Sequence, residues 1–287
     1  MRFPPWSYFV GSAVFHYLGP SFAVLLFSRV GPLGVAGVRI WSAAVVFALW
    51  RRPWRTFTRH TWRTVLVWGA VLAVMNSSFY MAIARLPLAT VAAIEFLPVI
   101  VLAALGIRTR RNLVALVAAV GGVYVLTEVR IEGEPLGFVF AFANAALFAL
   151  YIVVAHKAAQ TNSAAAESDS AAGSGGAGGI DGLAMAMVAA SVVALPIGGV
   201  QAVPVLTDPV VLAAGVGVGI SSSVIPYVCD QLAMARLSRA TYALMVSLLP
   251  ATAAVTGLVV LRQVPSPAEV VGVGLVIAGV AVHRGER

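Results

Sequence analysis

Long apolar runs separated by short clusters of charged, proline and glycine residues make up almost the whole chain. Reading breaks at those clusters gives ten runs. They are Trp6–Phe27, Gly31–Trp50, Val65–Ala84, Pro87–Gly106, Leu113–Thr127, Leu136–His156, Leu183–Val200, Val210–Met234, Ala240–Leu261 and Val264–Val282. Most approach the roughly 20 residues a helix needs to cross the hydrocarbon core of a bilayer. The apolar/polar alternation of a half-buried strand is absent, and lipid offers no partner to unpaired backbone groups, so helices are predicted throughout. One long interruption, Lys157–Asp181, is built from Ala, Ser and Gly. Such a composition buries too little surface to fold and predicts a flexible linker.

The pattern also repeats itself. Ala82-Ile83-Ala84-Arg85-Leu86 opens one apolar stretch, and Ala233-Met234-Ala235-Arg236-Leu237 opens another 151 positions later. The same offset pairs Ala89 with Ala240, Thr90 with Thr241 and Ala92 with Ala243. Five helices per half is an odd number, so the second half enters the membrane from the opposite side. The expected fold is therefore an all-α membrane protein of ten transmembrane helices arranged as a 5+5 inverted repeat. Residues 1–130 form the first half and 131–287 the second, with the cytoplasmic linker at 157–181.

Composition agrees. The chain is 60% hydrophobic and 10% charged, with a mean hydropathy of +0.95. Soluble domains carry about a quarter charged residues. The net charge of +8 does not point to nucleic acid, because the cations sit in short gaps between apolar runs. Their distribution reads instead as topology. With the N-terminus inside, the inner loops hold 14 Lys and Arg and the outer loops 4, so both termini are expected in the cytoplasm. The apolar run that follows Met1-Arg2 lacks a convincing cleavage region and reads as a retained first helix. Cys229 is the single cysteine, and no metal-ligand spacing or cofactor motif accompanies it.

Against this background the polar residues inside the runs stand out. A charge at the bilayer centre costs about 3 kcal/mol on insertion scales. Arg39, Glu95 and Asp230 incur that cost. Glu95 is the deepest acid, with Pro98 three residues on, and Asp230 closely follows Pro226-Tyr227. Each proline frees a backbone carbonyl, which is tolerated where it faces a cavity. Glu95 is suited to couple its protonation to substrate or to proton flow, and Arg39 to hold a substrate carboxylate or pair with Glu95. Asn76 and Tyr80 on the third run and Tyr227 on the eighth complete the candidate substrate and proton site. Asn76 and Tyr227 fall on matching positions of the repeat. Ser77, Ser78, Ser221, Ser222 and Ser223 are weaker candidates that also serve as interhelical glue. His16 is the one deep histidine.

Two segments carry a family resemblance. The first is Asn76-Ser-Ser-Phe-Tyr80-Met-Ala-Ile-Ala-Arg85-Leu-Pro87-Leu, followed by Ile94-Glu95-Phe96-Leu97-Pro98. The second is Ile225-Pro226-Tyr227, Ala235-Arg236-Leu237 and the run from Leu249-Pro250 to Gly257. The chain resembles the EamA family of the drug/metabolite transporter superfamily, particularly its inner-membrane threonine/homoserine exporters. The resemblance implies a ten-helix inverted-repeat exporter of small metabolites, amino acids foremost, driven by protons across the cell membrane. Three positions depart from the family pattern: Asp230 stands for a common Glu, Leu249 for an acid before the helix-nine proline, and Arg262-Gln263 where a Glu often follows. The partners implied are a small-molecule substrate, protons and the lipid bilayer, without nucleic acid. A drug or nucleotide-sugar carrier of the same fold is the alternative, and an integral membrane enzyme lacks a nucleophile–base set or metal motif.

Overall fold

A computed structural model describes residues 5–55, 62–106, 110–128, 134–167, 175–234 and 249–282. Every regular element among them is helical. In chain order they are α1 (Pro5–Val30), α2 (Pro32–Arg51), α3 (Trp62–Ile83), α4 (Leu88–Gly106), α5 (Arg110–Glu128), α6 (Pro135–Glu167) and α7 (Gly175–Thr207). The eighth rod, α8, begins as Pro209–Gly219, passes through a π turn at Ile220–Val224 and continues as Ile225–Met234. α9 (Leu249–Leu261) and α10 (Pro267–Val282) complete the described helices. Five of these are long and apolar enough to cross a membrane, and four further apolar stretches lie on α4, α6, α9 and α10.

Connections are short. Gly31 alone joins α1 to α2, at φ 77°, a backbone conformation that carries little cost only for glycine. Helices joined by such described connections run antiparallel, and contacts between distant elements fix two opposite faces. On one face Arg29 pairs with Asp208 at 3.7 Å, and Gln201 and Gln263 reach the starts of α2 and α4. On the other face Arg51 pairs with Asp181 at 2.6 Å, and Arg111 donates to the Val282 carbonyl at 2.6 Å. The described chain begins and ends on this second, Arg51-bearing face.

The closest helix pairs are α2 with α7, α5 with α10, α3 with α6 and with α7, and α1 with α8. Large apolar side chains such as Val200, Leu206 and Val264 point outward, as lipid-facing positions do. Two apolar clusters fill the interior. One joins α1, α4 and α9 around Tyr17 and Tyr80; the other joins α2, α3 and α7 around Phe47, Leu72 and Met187.

Three boundaries differ from the sequence reading. α6 continues to Glu167 and α7 starts at Gly175, so the expected linker is helical at both ends and only 168–174 lie outside the described residues. Alanine, the best helix former, carries α6 beyond its apolar span. Ile180 is buried and Asp181 ion-paired, which anchors the start of α7's packed stretch. α7 also runs through Pro196 and Pro204 to Thr207. Most of the second repeat segment, 235–248, lies outside the described residues.

Candidate functional site

Arg39, Asn76 and Glu95 each sit seven residues from the end of their helix on the same face, at Pro32, Ile83 and Leu88. That places all three about 10 Å below the face, in one layer. Helical sequence spacing alone thus brings three costly polar groups to one depth.

The layer surrounds a cavity of about 40 Å³ lined by His16, Pro20, Arg39, Met75, Asn76, Phe79, Glu95, Asn144, Phe148, Tyr151 and Tyr227. A water's share of liquid volume is about 30 Å³, so the chamber in this state is small, with room for water rather than a larger solute. Glu95, 6% exposed, accepts a hydrogen bond at Oε1 from Asn144 Nδ2 at 3.1 Å. The Tyr17 hydroxyl approaches the same carboxyl without closing a hydrogen bond. His16 Nδ1, Glu95 Oε2, Asn144 Oδ1 and the Tyr17 and Tyr80 hydroxyls are all buried without a hydrogen-bond partner among the described residues. Buried polar groups are paired in the great majority of cases. Three of them, on His16, Glu95 and Asn144, line the chamber and mark a place where a polar ligand has partners waiting.

Arg39 is held from the opposite wall. Its Nε donates to Ser223 Oγ at 2.7 Å and its Nη2 to the Ser222 carbonyl at 2.8 Å. Its guanidinium carbon lies 5.4 Å from the Tyr80 ring centroid. The ion pair with Glu95 raised as one role for Arg39 is not formed among the described residues. Ser222 and Ser223, in an adjacent helix, take its donors instead. Pro226 explains why: it has no N–H to offer the carbonyl four residues back, which is that of Ser222.

The remaining expected residues divide. Asn76 and Tyr227 line the chamber, with Asn76 Nδ2 tied to the Leu72 carbonyl at 2.8 Å and the Tyr227 hydroxyl facing Asn76. Tyr80 is fully buried beneath Arg39 rather than on the lining. Asp230 is also off the lining, one turn beyond Tyr227, near Tyr151 and Cys229. Asn144 and Tyr151 escaped the sequence reading. Asn144 is the one amide in the apolar body of α6, and with Phe148 and Tyr151 it forms a stripe at i, i+4 and i+7. Phe148 and Tyr151 stack at 6.2 Å, and Phe96 meets Phe148 edge-on at 6.0 Å. No group of three or more potential metal ligands occurs among the described residues.

Comparison with known proteins gives this chamber a context. Residues 135–284 match the EamA-like transporter family. The threonine/homoserine exporter RhtA of Escherichia coli K12 is 28% identical over 264 residues, covering 91% of this chain and 84% of the relative. RhtA of Salmonella typhimurium LT2 is 27% identical over the same shares. A solved crystal structure, 18% identical, superposes with a TM-score of 0.54 over 97% of this chain and 95% of its own length, which supports the fold. The chain belongs to the EamA-like transporter family, and it is a multi-pass membrane transporter of a small molecule rather than an enzyme.

Proposed function

We propose that this protein exports small amino acids, threonine and homoserine foremost, across the cytoplasmic membrane in exchange for protons. The observation that carries the reading is Glu95: a buried carboxyl with one oxygen on Asn144 and the other without a partner among the described residues, on the wall of a small interior chamber. The printed function of the RhtA relatives supports the substrate class.

In this scheme Glu95 holds a proton while the chamber is empty of cargo and releases it when the substrate ammonium arrives. Arg39 meets the substrate carboxylate, Asn76 and Tyr227 supply hydrogen bonds and shape, and Tyr80 supports Arg39 from beneath. Asp230 serves as the relay toward the Arg51 face. That face is cytoplasmic, because the inner loops then carry most of the Lys and Arg.

Two halves related by an inverted repeat provide the motion. The packing pattern supports them. Shifting each helix five places turns α3·α6 into α8·α1, α4·α6 into α9·α1 and α3·α7 into α8·α2. Each counterpart is also a packed pair. Rocking of such halves exposes a midplane site alternately to the two sides.

The test uses vesicles reconstituted with the protein, loaded with labelled threonine or homoserine, and given a pH gradient. Efflux should follow the gradient, and Glu95→Gln should abolish that response. Gradient-driven efflux that survives Glu95→Gln would remove the proposed role of Glu95. Absence of efflux of either amino acid from wild-type vesicles would remove the substrate class.

A further inference from the structure

The π turn at Ile220–Val224 is the one described departure from α-helical register inside a rod, and it lies against Arg39. Within it the Ile225 N–H bonds the Ile220 carbonyl, an i→i+5 closure. Such single turns recur at functional sites. Here two sequence features sustain the turn. Pro226 cannot donate to Ser222, which frees that carbonyl. Glycines on both sides let the turn approach its neighbours: a Cβ on Gly19 would meet the Ser222 backbone at 2.8 Å, and one on Gly219 would run into Ser42 of α2. Ser222 and Ser223 are consequently buried at 0% and 2% exposure.

The freed carbonyl and the Ser223 hydroxyl together receive Nε and Nη2 of Arg39. These are two donors on one edge of a planar fork that presents five N–H groups in fixed geometry. With that edge taken and the plane lying over Tyr80, rotation about the last side-chain bonds is blocked. Arg39 also lines the chamber whose other wall carries Glu95.

We infer that Ser223, Pro226 and the π turn between them are positioning elements that aim Arg39 at a substrate carboxylate and thereby make the site selective for free α-carboxylates. The inference rests on the amino-acid reading above, but goes beyond it by assigning specificity to residues on the far side of the cation. Ser223→Ala removes the Nε acceptor. Pro226→Ala returns an N–H that competes with Arg39 for the Ser222 carbonyl, and alanine is a good helix former at that position.

The experiment measures KM and maximal rate of counterflow in vesicles for threonine and for threonine amide, which keeps the ammonium and side chain but lacks the carboxylate. A hydrogen bond to a charged group corresponds to about a tenfold change or more in binding. Ser223→Ala and Pro226→Ala should each raise KM for threonine about tenfold while leaving KM for the amide unchanged. Ser223→Thr, which keeps the hydroxyl, should restore the wild-type ratio. Equal changes for threonine and its amide, or no change for either, would overturn the inference. Failure of wild-type counterflow with threonine would instead overturn the substrate reading, so the two are distinguishable.

Discussion

Asn144 and Glu95 are joined by a hydrogen bond of 3.1 Å that ties α6 to α4 across the chamber. The remaining oxygens of both, Asn144 Oδ1 and Glu95 Oε2, are buried without a partner among the described residues. The amide thus fixes the carboxyl while leaving half of each group open to a ligand.

Replacing Asn144 by Ala should therefore separate two effects. Interhelical hydrogen bonds in membranes average about 0.6 kcal/mol, so thermal stability in detergent should fall only slightly. Transport should fall more than tenfold, because Glu95 loses its one fixed contact. Equal transport by Asn144→Ala and wild type in the vesicle assay would show that the bond does not orient Glu95.

The ion pair of Arg51 and Asp181 closes the α2–α7 interface on the face opposite Gln201. Its side chains are 25% and 22% exposed, and Arg51 also lies over the Trp50 ring at 5.6 Å. With that exposure the coupling between the two charges should be at most about 1 kcal/mol. A double-mutant cycle of Arg51→Ala and Asp181→Asn, read by thermal unfolding, measures it. The coupling should shrink at high salt.

Neighbouring glycines on α5 should respond in opposite ways. A Cβ on Gly122 would meet the Gly272 carbonyl at 2.6 Å and Val276 at 2.9 Å, whereas one on Gly121 meets nothing within 4 Å. Gly122→Ala should push α10 away and destabilise by about 1–3 kcal/mol. Gly121→Ala should be neutral or stabilising by about 0.5–1 kcal/mol. Unfolding midpoints of the two variants decide.

Two helix starts are capped from a distance. Gln201 Oε1 accepts the N–H groups of Leu33 and Gly34 at 3.1 and 3.3 Å, where Gly31 has no side chain to do so. Gln263 Oε1 accepts the Leu88 N–H at 3.1 Å. Gln201→Leu and Gln263→Leu should each cost about 1 kcal/mol, the usual value of a lost cap. Gln263 thus has a structural task here.

The sequence made the rods legible because each must clear a membrane in one apolar run. It made Arg39, Glu95, Asn76 and Tyr227 legible because a polar group at that depth needs a reason. It misjudged the linker, since alanine continues a helix whether or not lipid surrounds it. Asn144 and Tyr151 stayed hidden because an amide or phenol among apolar residues costs little and signals little. The partner of Arg39 was beyond reach for another reason. Choosing between Glu95 and Ser223 depends on the rotation of α2 against α8, and no local pattern encodes that angle. The freed carbonyl of Ser222 was foreseeable from Pro226, but not which cation would take it.

The chamber beside Glu95 holds about 40 Å³, little more than one water. In the state described it has no room for a solute the size of an amino acid, so binding one requires the surrounding helices to move apart.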